Sequence, residues 1–264
     1  MTAGPRLAPT ASTLGPALAE LAELEFRLGD WAAAHESALE VLRSAQAAAL
    51  PREVMSGLVR LALIEAGLGH AQVCRGHAAE AVRLARGLAD RPAEALAGEA
   101  VGLLELGLGR VDAAIERLES VARICREHPR AGSRAVAWAP NLAEARLRRG
   151  DRVGAQRALA DVECGVRRRP GSFGLVAASE RSRAMLAADH ACSRLFTRAL
   201  AWSAWSRQPF ELARTELCYG ERLRRARRRA EAREHLAAAL GTFEELGARP
   251  WAQRASCELA AAES

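Results

Sequence analysis

The strongest constraint on this chain is a turn that returns about every forty residues. It appears as Gly29-Asp30-Trp31 followed by Ala34, as Gly69-His70-Ala71 followed by Cys74, and as Gly109-Arg110-Val111 followed by Ala114. Gly150-Asp151-Arg152 with Ala155 is the fourth copy. A fifth, weaker copy is Ala188-Asp189-His190 with Cys192, and in the sixth, Arg227-Arg228-Arg229 with Ala232, arginine stands in the glycine position. The successive spacings are 40, 40, 41, 38 and 39 residues. Self-similarity at such a period marks a stack of supersecondary units, none of which buries its apolar face alone.

A second pattern precedes the turn. Seven or eight residues before it, a large residue is followed by a small one: Leu21-Ala22, Leu61-Ala62, Val101-Gly102, Leu142-Ala143 and Tyr219-Gly220. A small residue at a fixed place lets a neighbouring helix approach closely, and the small residue about five places after the turn does the same for the next helix. Large residues filling grooves between helices spaced by small ones is the logic of the tetratricopeptide repeat. That repeat is about 34 residues long, so six more residues lengthen each helix by less than one turn. The fifth copy breaks the rule, because Glu180-Arg181 occupies the register; a register slip or an irregular repeat accounts for it. Prolines at 51, 92, 129, 170 and 209 fall between the pairs, where a first helix turn tolerates them, whereas Pro140 restarts or kinks the fourth first-helix. The residues from Pro250 to Ala262 read as one amphipathic helix with Trp251, Ala255, Leu259 and Ala262 on one face, a cap for the stack.

Composition agrees. Alanine is the commonest residue, aromatic residues make up 4%, and β-branched residues are few, which favours helix over strand. The fold expected is therefore all-α: a right-handed α-α superhelix of about six tetratricopeptide-like helix pairs with a C-terminal capping helix, over residues 14–264. Residues 1–13 are expected to be a disordered segment. The chain contains no lysine, so its net charge of +6 is carried by arginine. A P-loop, a Schiff-base enzyme and a protein kinase each require a lysine and are excluded. There is no apolar signal region and no run near the ~20 residues that a bilayer demands, so the expected location is the cytoplasm.

No catalytic constellation can be assembled, and the chain is expected not to be an enzyme. The six cysteines read as buried, reduced thiols. His70, Cys74 and His77 share one helical face but span about 10 Å at 1.5 Å per residue, too far for one zinc; no metal and no cofactor are expected. The run Arg222 to Arg233 reads either as a contact for nucleic-acid phosphate or as a solvated turn paired with Glu221, Glu231 and Glu234, and the second reading is favoured. In such a stack the first helix of each pair lines the concave face. Counting from the turns places Glu23 and Arg27, Glu99, Trp138 beside Pro140, Glu144 and Arg148, and Arg214 and Glu221 there. Mixed charges in a groove suit a peptide, a protein or a polar small-molecule effector; a merely solvated inner face is the alternative.

The last third carries a more specific likeness. The string Pro209-Phe210-Glu211-Leu212-Ala213-Arg214, then Tyr219-Gly220-Glu221-Arg222-Leu223, then Phe243-Glu244-Glu245-Leu246-Gly247-Ala248-Arg249-Pro250-Trp251, resembles the region before the DNA-binding domain in large actinobacterial LuxR-type regulators with an ATPase module, the relatives of the maltose regulator. Ala139-Pro140-Asn141-Leu142-Ala143-Glu144-Ala145 is similar to that family's middle repeats. The resemblance spans most of residues 14–263. It implies a helical-repeat sensor for transcription regulation and signal transduction, without the family's nucleotide-binding and helix-turn-helix parts, whose residues are absent; direct nucleic-acid binding is thus not expected, nor membrane contact. A domain fragment and a short relative both fit. The alternative is a free-standing protein-protein interaction scaffold, and self-association in a homo-oligomer is open.

Overall fold

A computed structural model describes residues 11–128, 137–169 and 171–263, and among these every regular element is a helix. The first three pairs are α1 (Ala11–Leu28) with α2 (Trp31–Ala47), α3 (Pro51–Leu68) with α4 (Ala71–Gly87), and α5 (Arg91–Gly107) with α6 (Val111–Glu127). Three more follow: α7 (Trp138–Arg148) with α8 (Arg152–Arg168), α9 (Phe173–Leu186) with α10 (Asp189–Ser206), and α11 (Pro209–Arg225) with α12 (Arg229–Glu245). α13 (Arg249–Glu263) closes the stack. The result is the tetratricopeptide-like superhelix that the repeat implies. The expected disorder of residues 1–10 and the breaks at Pro129 and Pro170 lie outside the described residues; α1 already begins at Ala11.

The turns form as the spacing predicts. Gly29, Gly69, Gly109 and Gly150 all take positive φ, and Arg227 adopts the same left-handed conformation at φ 61° in the copy that lacks glycine. Asp30, Asp90 and Asp151 cap the helices that follow by accepting the N–H of Ala33, Ala93 and Gly154, the orphan donors of a helix start. Pro140 sits in the first turn of α7, so it begins that helix rather than kinking a longer one.

The small-residue rule also holds. Ala22, Ala62 and Ala143 are inaccessible, as are Ala34, Cys74, Ala114, Ala155 and Ala232 after the turns. Where the first position is glycine, a leucine fills the space: a Cβ on Gly102 would meet Leu118 at 2.4 Å, and one on Gly220 would meet Leu236 at 2.6 Å. The fifth copy keeps its register. Arg181 stands in the small-residue place fully buried, and Cys192 is buried like its counterparts.

The two layers differ in chemistry. The second helices bury one narrow stripe, as in α4 with Cys74, Ala78, Ala81 and Ala85. First helices are covered on two sides; α5 buries most of its length, including Glu94, Glu99 and Glu105. Nearly all the buried charged residues lie in this inner layer.

The stack also closes on itself. The turn after α1 meets α11 and the end of α12, since a Cβ on Gly29 would lie 2.7 Å from Pro209 and 3.1 Å from Leu246. The turn after α3 meets the start of α13, with Gly69 against Pro250. Trp31 of α2 packs edge-on to Phe210 of α11 at 5.2 Å, and Phe210 in turn packs on Trp251 at 5.4 Å and Phe243 at 5.9 Å. α13 is thus more than the expected cap. Besides covering α12, it presents Trp251 to the ends of the N-terminal repeats, where a Cβ on Gly107 would lie 2.8 Å from Trp251 Nε1.

Candidate functional site

Seven of the eight inner-face residues read from the sequence fall into two groups with different fates. Glu144, Arg214 and Glu221 are brought together, and they are consumed by one another and by residues that the sequence did not single out. Arg214 donates to Glu144 at 2.6 Å and to Glu211 at 3.1 Å. Arg254 of α13 donates to the other oxygen of Glu144 at 2.6 Å and to Glu221 at 2.7 Å. Arg181 of α9 pairs with Glu211 at 2.8 Å and donates to Thr215, which shares a hydrogen bond with Ser203. The guanidinium of Arg214 stacks over the Trp251 ring at 4.8 Å, a cation–π contact.

Burial opposes ionisation of Glu144, but the guanidiniums of Arg214 and Arg254 overcome it and hold the carboxyl well below the usual carboxylate range. Burial likewise works against the charge on Arg214, and Glu211 and Glu144 outweigh it, so its pKa is raised. A buried charge that is paired and hydrogen-bonded remains charged. This network ties α7, α9, α11 and α13 together from the inside. Arg254 and Arg181 had faint signals in the sequence: Arg254 lies three residues after the apolar anchor Trp251, and Arg181 is the very residue that breaks the fifth copy's large-small rule.

Glu23, Arg27, Glu99 and Trp138 make up the second group. Glu23 pairs with Arg27 at 2.5 Å and with Arg60 of α3 at 3.1 Å. Arg60 also donates to the Ala19 carbonyl, fixing α1 on α3. Glu99 accepts the backbone N–H groups of Ala137 and Trp138. It therefore caps α7 from a neighbouring helix, a role its own N-cap residue Ala137 cannot fill. Its other oxygen, Oε2, has no hydrogen-bond partner within the chain. Burial pushes the Glu99 carboxyl up to about 8 against the pull of those two N–H groups, and the charges of Glu23 and Arg27 are near enough to act on it. Trp138 is buried, with the Arg126 guanidinium 5.8 Å above its ring. Arg148 stands apart from both groups and donates to the Leu106 carbonyl at the end of α5.

The remaining motifs resolve into packing. Cys74 donates to the Ala62 carbonyl, and His77 pairs with Glu65, whose hydrogen bond raises the imidazole pKa. Among the described residues no three metal-binding side chains gather, and none of the helices is long and apolar enough to cross a membrane. In the arginine-rich run, Arg222, Arg224, Arg225 and Arg228 pair with Asp189, Glu258, Glu221 and Glu231.

Comparison with known proteins locates this architecture. No family model and no curated protein matches the chain. Among solved structures, it is similar to a Rap protein complexed with competence and sporulation factor, at 12% identity and a TM-score of 0.63, covering 97% of this chain and 76% of that one. It is also similar to aspartyl phosphate phosphatase F from Bacillus subtilis, at 12% identity and a TM-score of 0.56, covering 96% of this chain and 70% of that one. At this identity the likeness is one of fold. It nevertheless overturns the LuxR-type resemblance and the sensor-of-transcription reading built on it, because these two structures, a Rap protein and an aspartyl phosphate phosphatase, match nearly the whole chain and neither is a LuxR-type regulator. The physical reason lies in the strings that carried the resemblance. Gly247 takes positive φ to end α12, Pro250 and Trp251 seat α13, and Phe210 and Phe243 fill the ring's interior. These are demands of stacked helix pairs, which unrelated stacks meet in similar ways.

Proposed function

We propose that the chain is a helical-repeat interaction scaffold that takes an extended peptide or protein segment against its inner face, and that it carries out no chemistry of its own. The observation that supports this reading best is Glu99. One oxygen caps α7 while Oε2 is unpartnered within the chain, and the partly exposed pair Glu23 and Arg27 lies beside it. Buried polar atoms are almost always paired in folded proteins. Asn141 Oδ1, Arg181 Nη2 and Arg214 Nε on the same inner layer are similarly unpartnered within the chain. The similar Rap structure is itself a complex with a partner, which favours a binding role for this architecture. The thiols of Cys74, Cys125 and Cys218, pushed up to about 12 by burial, remain protonated at neutral pH and are poor nucleophiles.

The test is selection from a displayed library of random linear peptides on the immobilised chain, followed by fluorescence anisotropy of the enriched peptides. Arg27→Glu is expected to weaken binding at least tenfold without moving the thermal midpoint, and Glu23→Gln to weaken it while keeping a hydrogen-bond acceptor for Arg60. An absence of enriched peptides, or affinities indifferent to both changes, contradicts the proposal.

A further inference from the structure

The outer side of α1 is unlike the end of a finished stack. Terminal units of repeat proteins normally turn a polar face to water. Here Leu21, Leu24 and Leu28 are 42%, 52% and 52% exposed. On a helix of 3.6 residues per turn they fall on one stripe, opposite the face that buries Ala19 and Ala22. Within α1 leucine recurs at 14, 21 and 28, the seven-residue period of helices that pair along a seam. Glu20 and Arg27 flank one edge of this stripe, seven residues apart. Each has a partner within the chain, Glu20 with Arg60 at 3.4 Å and Arg27 with Glu23, yet both keep much of their surface in water, 73% of the Glu20 side chain and 51% of that of Arg27.

We infer that this face is covered by α1 of a second copy of the chain, the two helices antiparallel about a two-fold axis near Leu24. The charges select both occupant and direction. In the antiparallel arrangement the edge bearing Glu20 and Arg27 faces the same edge of the other copy, so each Glu20 meets an Arg27. The same register sets Leu24 against Leu24 and Leu21 against Leu28. A parallel pairing would instead place Glu20 along the opposite edge, where Glu25 lies, and like charges there are unfavourable. A two-fold contact uses one self-complementary patch twice, and a stripe with leucines at its centre and one acid and one base on its rim fits that requirement. The leucine stripe lies away from the inner face, but Arg27 on its rim also belongs to the peptide-binding reading, so Leu24→Glu, which touches the stripe alone, is the change that separates pairing from peptide binding.

Sedimentation velocity across roughly 1–100 μM tests this. The wild-type chain is expected to move from monomer to dimer over that range. Leu24→Glu is expected to remain monomeric at every concentration, with an unchanged helical signal and thermal transition because Leu24 is outside the core. Glu20→Arg and Arg27→Glu should each weaken the dimer about tenfold, and the double exchange should recover it, since it restores two opposite-charge pairs. A monomeric wild type, a dimer indifferent to Leu24→Glu, or a double exchange no better than the single changes overturns the inference.

Discussion

Glu144 on α7 and Arg214 on α11, seventy residues apart in the chain, meet at 2.6 Å with almost no exposure to water on either side. Their pairing makes Glu144 a structural residue. A Glu144→Ala chain keeps Arg214 and Arg254 buried with part of their neutralisation gone, and breaking a buried pair from one side costs about 3–5 kcal/mol. Urea unfolding should show a loss of that size. Replacing the pair together, as Glu144→Leu with Arg214→Met, should cost clearly less than the single change, because no charge is stranded.

The two buried carboxyls respond to pH in opposite directions. Glu144 is held below its ordinary value, so the stability it contributes is present above the unfolded carboxyl range near 4.5 and disappears as pH falls through the folded value. Glu99 is raised to about 8, so the folded chain binds the extra proton between about 4.5 and 8, and stability falls as pH rises through that window. Glu99→Gln should therefore raise the thermal midpoint at pH 9 relative to wild type, while the difference narrows or reverses near pH 5. Melting curves at the two pH values check this.

Ring closure makes an unusual demand on glycine. Gly69 has φ +81°, and a Cβ there would lie 2.4 Å from Pro250, so Gly69→Ala meets both backbone strain and the start of α13. A loss of at least about 1–3 kcal/mol is expected. Gly76, in the middle of α4 with open space around it, is the control. Gly76→Ala should stabilise by about 1 kcal/mol. A stabilisation at Gly69 equal to that at Gly76 would contradict both the left-handed turn and its contact with Pro250.

Trp251 carries the same closure through its side chain. It is buried against Phe210 and Phe243, under the Arg214 guanidinium. Trp251→Ala should cost about 3–5 kcal/mol. Because Trp251 faces both ends of the ring, limited proteolysis of this variant should cut near the turns after α1 and α3 as well as in α13.

The helix pairs, their turns and their contact positions were legible because they are local. A glycine at positive φ, an aspartate cap and an alanine or glycine at the helix crossing leave marks at fixed spacing. The inner-layer candidates were legible only as a face. Counting from the turns put Glu99, Glu144, Arg214 and Glu221 on first helices, where all four are buried, yet it gave no indication that Glu144 and Arg214 would pair with each other and both carboxylates, Glu144 and Glu221, with Arg254. That depends on α13 returning Arg254 to a residue 110 positions earlier, and nothing with a forty-residue period encodes a contact across almost three repeats. Family resemblance failed for the converse reason. The shared strings report how helix pairs stack, which is common to many proteins, and not what the stack binds.

Hydrogen–deuterium exchange of the wild-type chain, with and without a peptide enriched by selection, tests the binding proposal most directly. Protection confined to α1, α5 and α7 around Glu23, Arg27, Glu99 and Trp138, with α2, α4 and α6 unchanged, is the predicted result. Protection spread over the outer second helices, or none at saturating peptide, would contradict it.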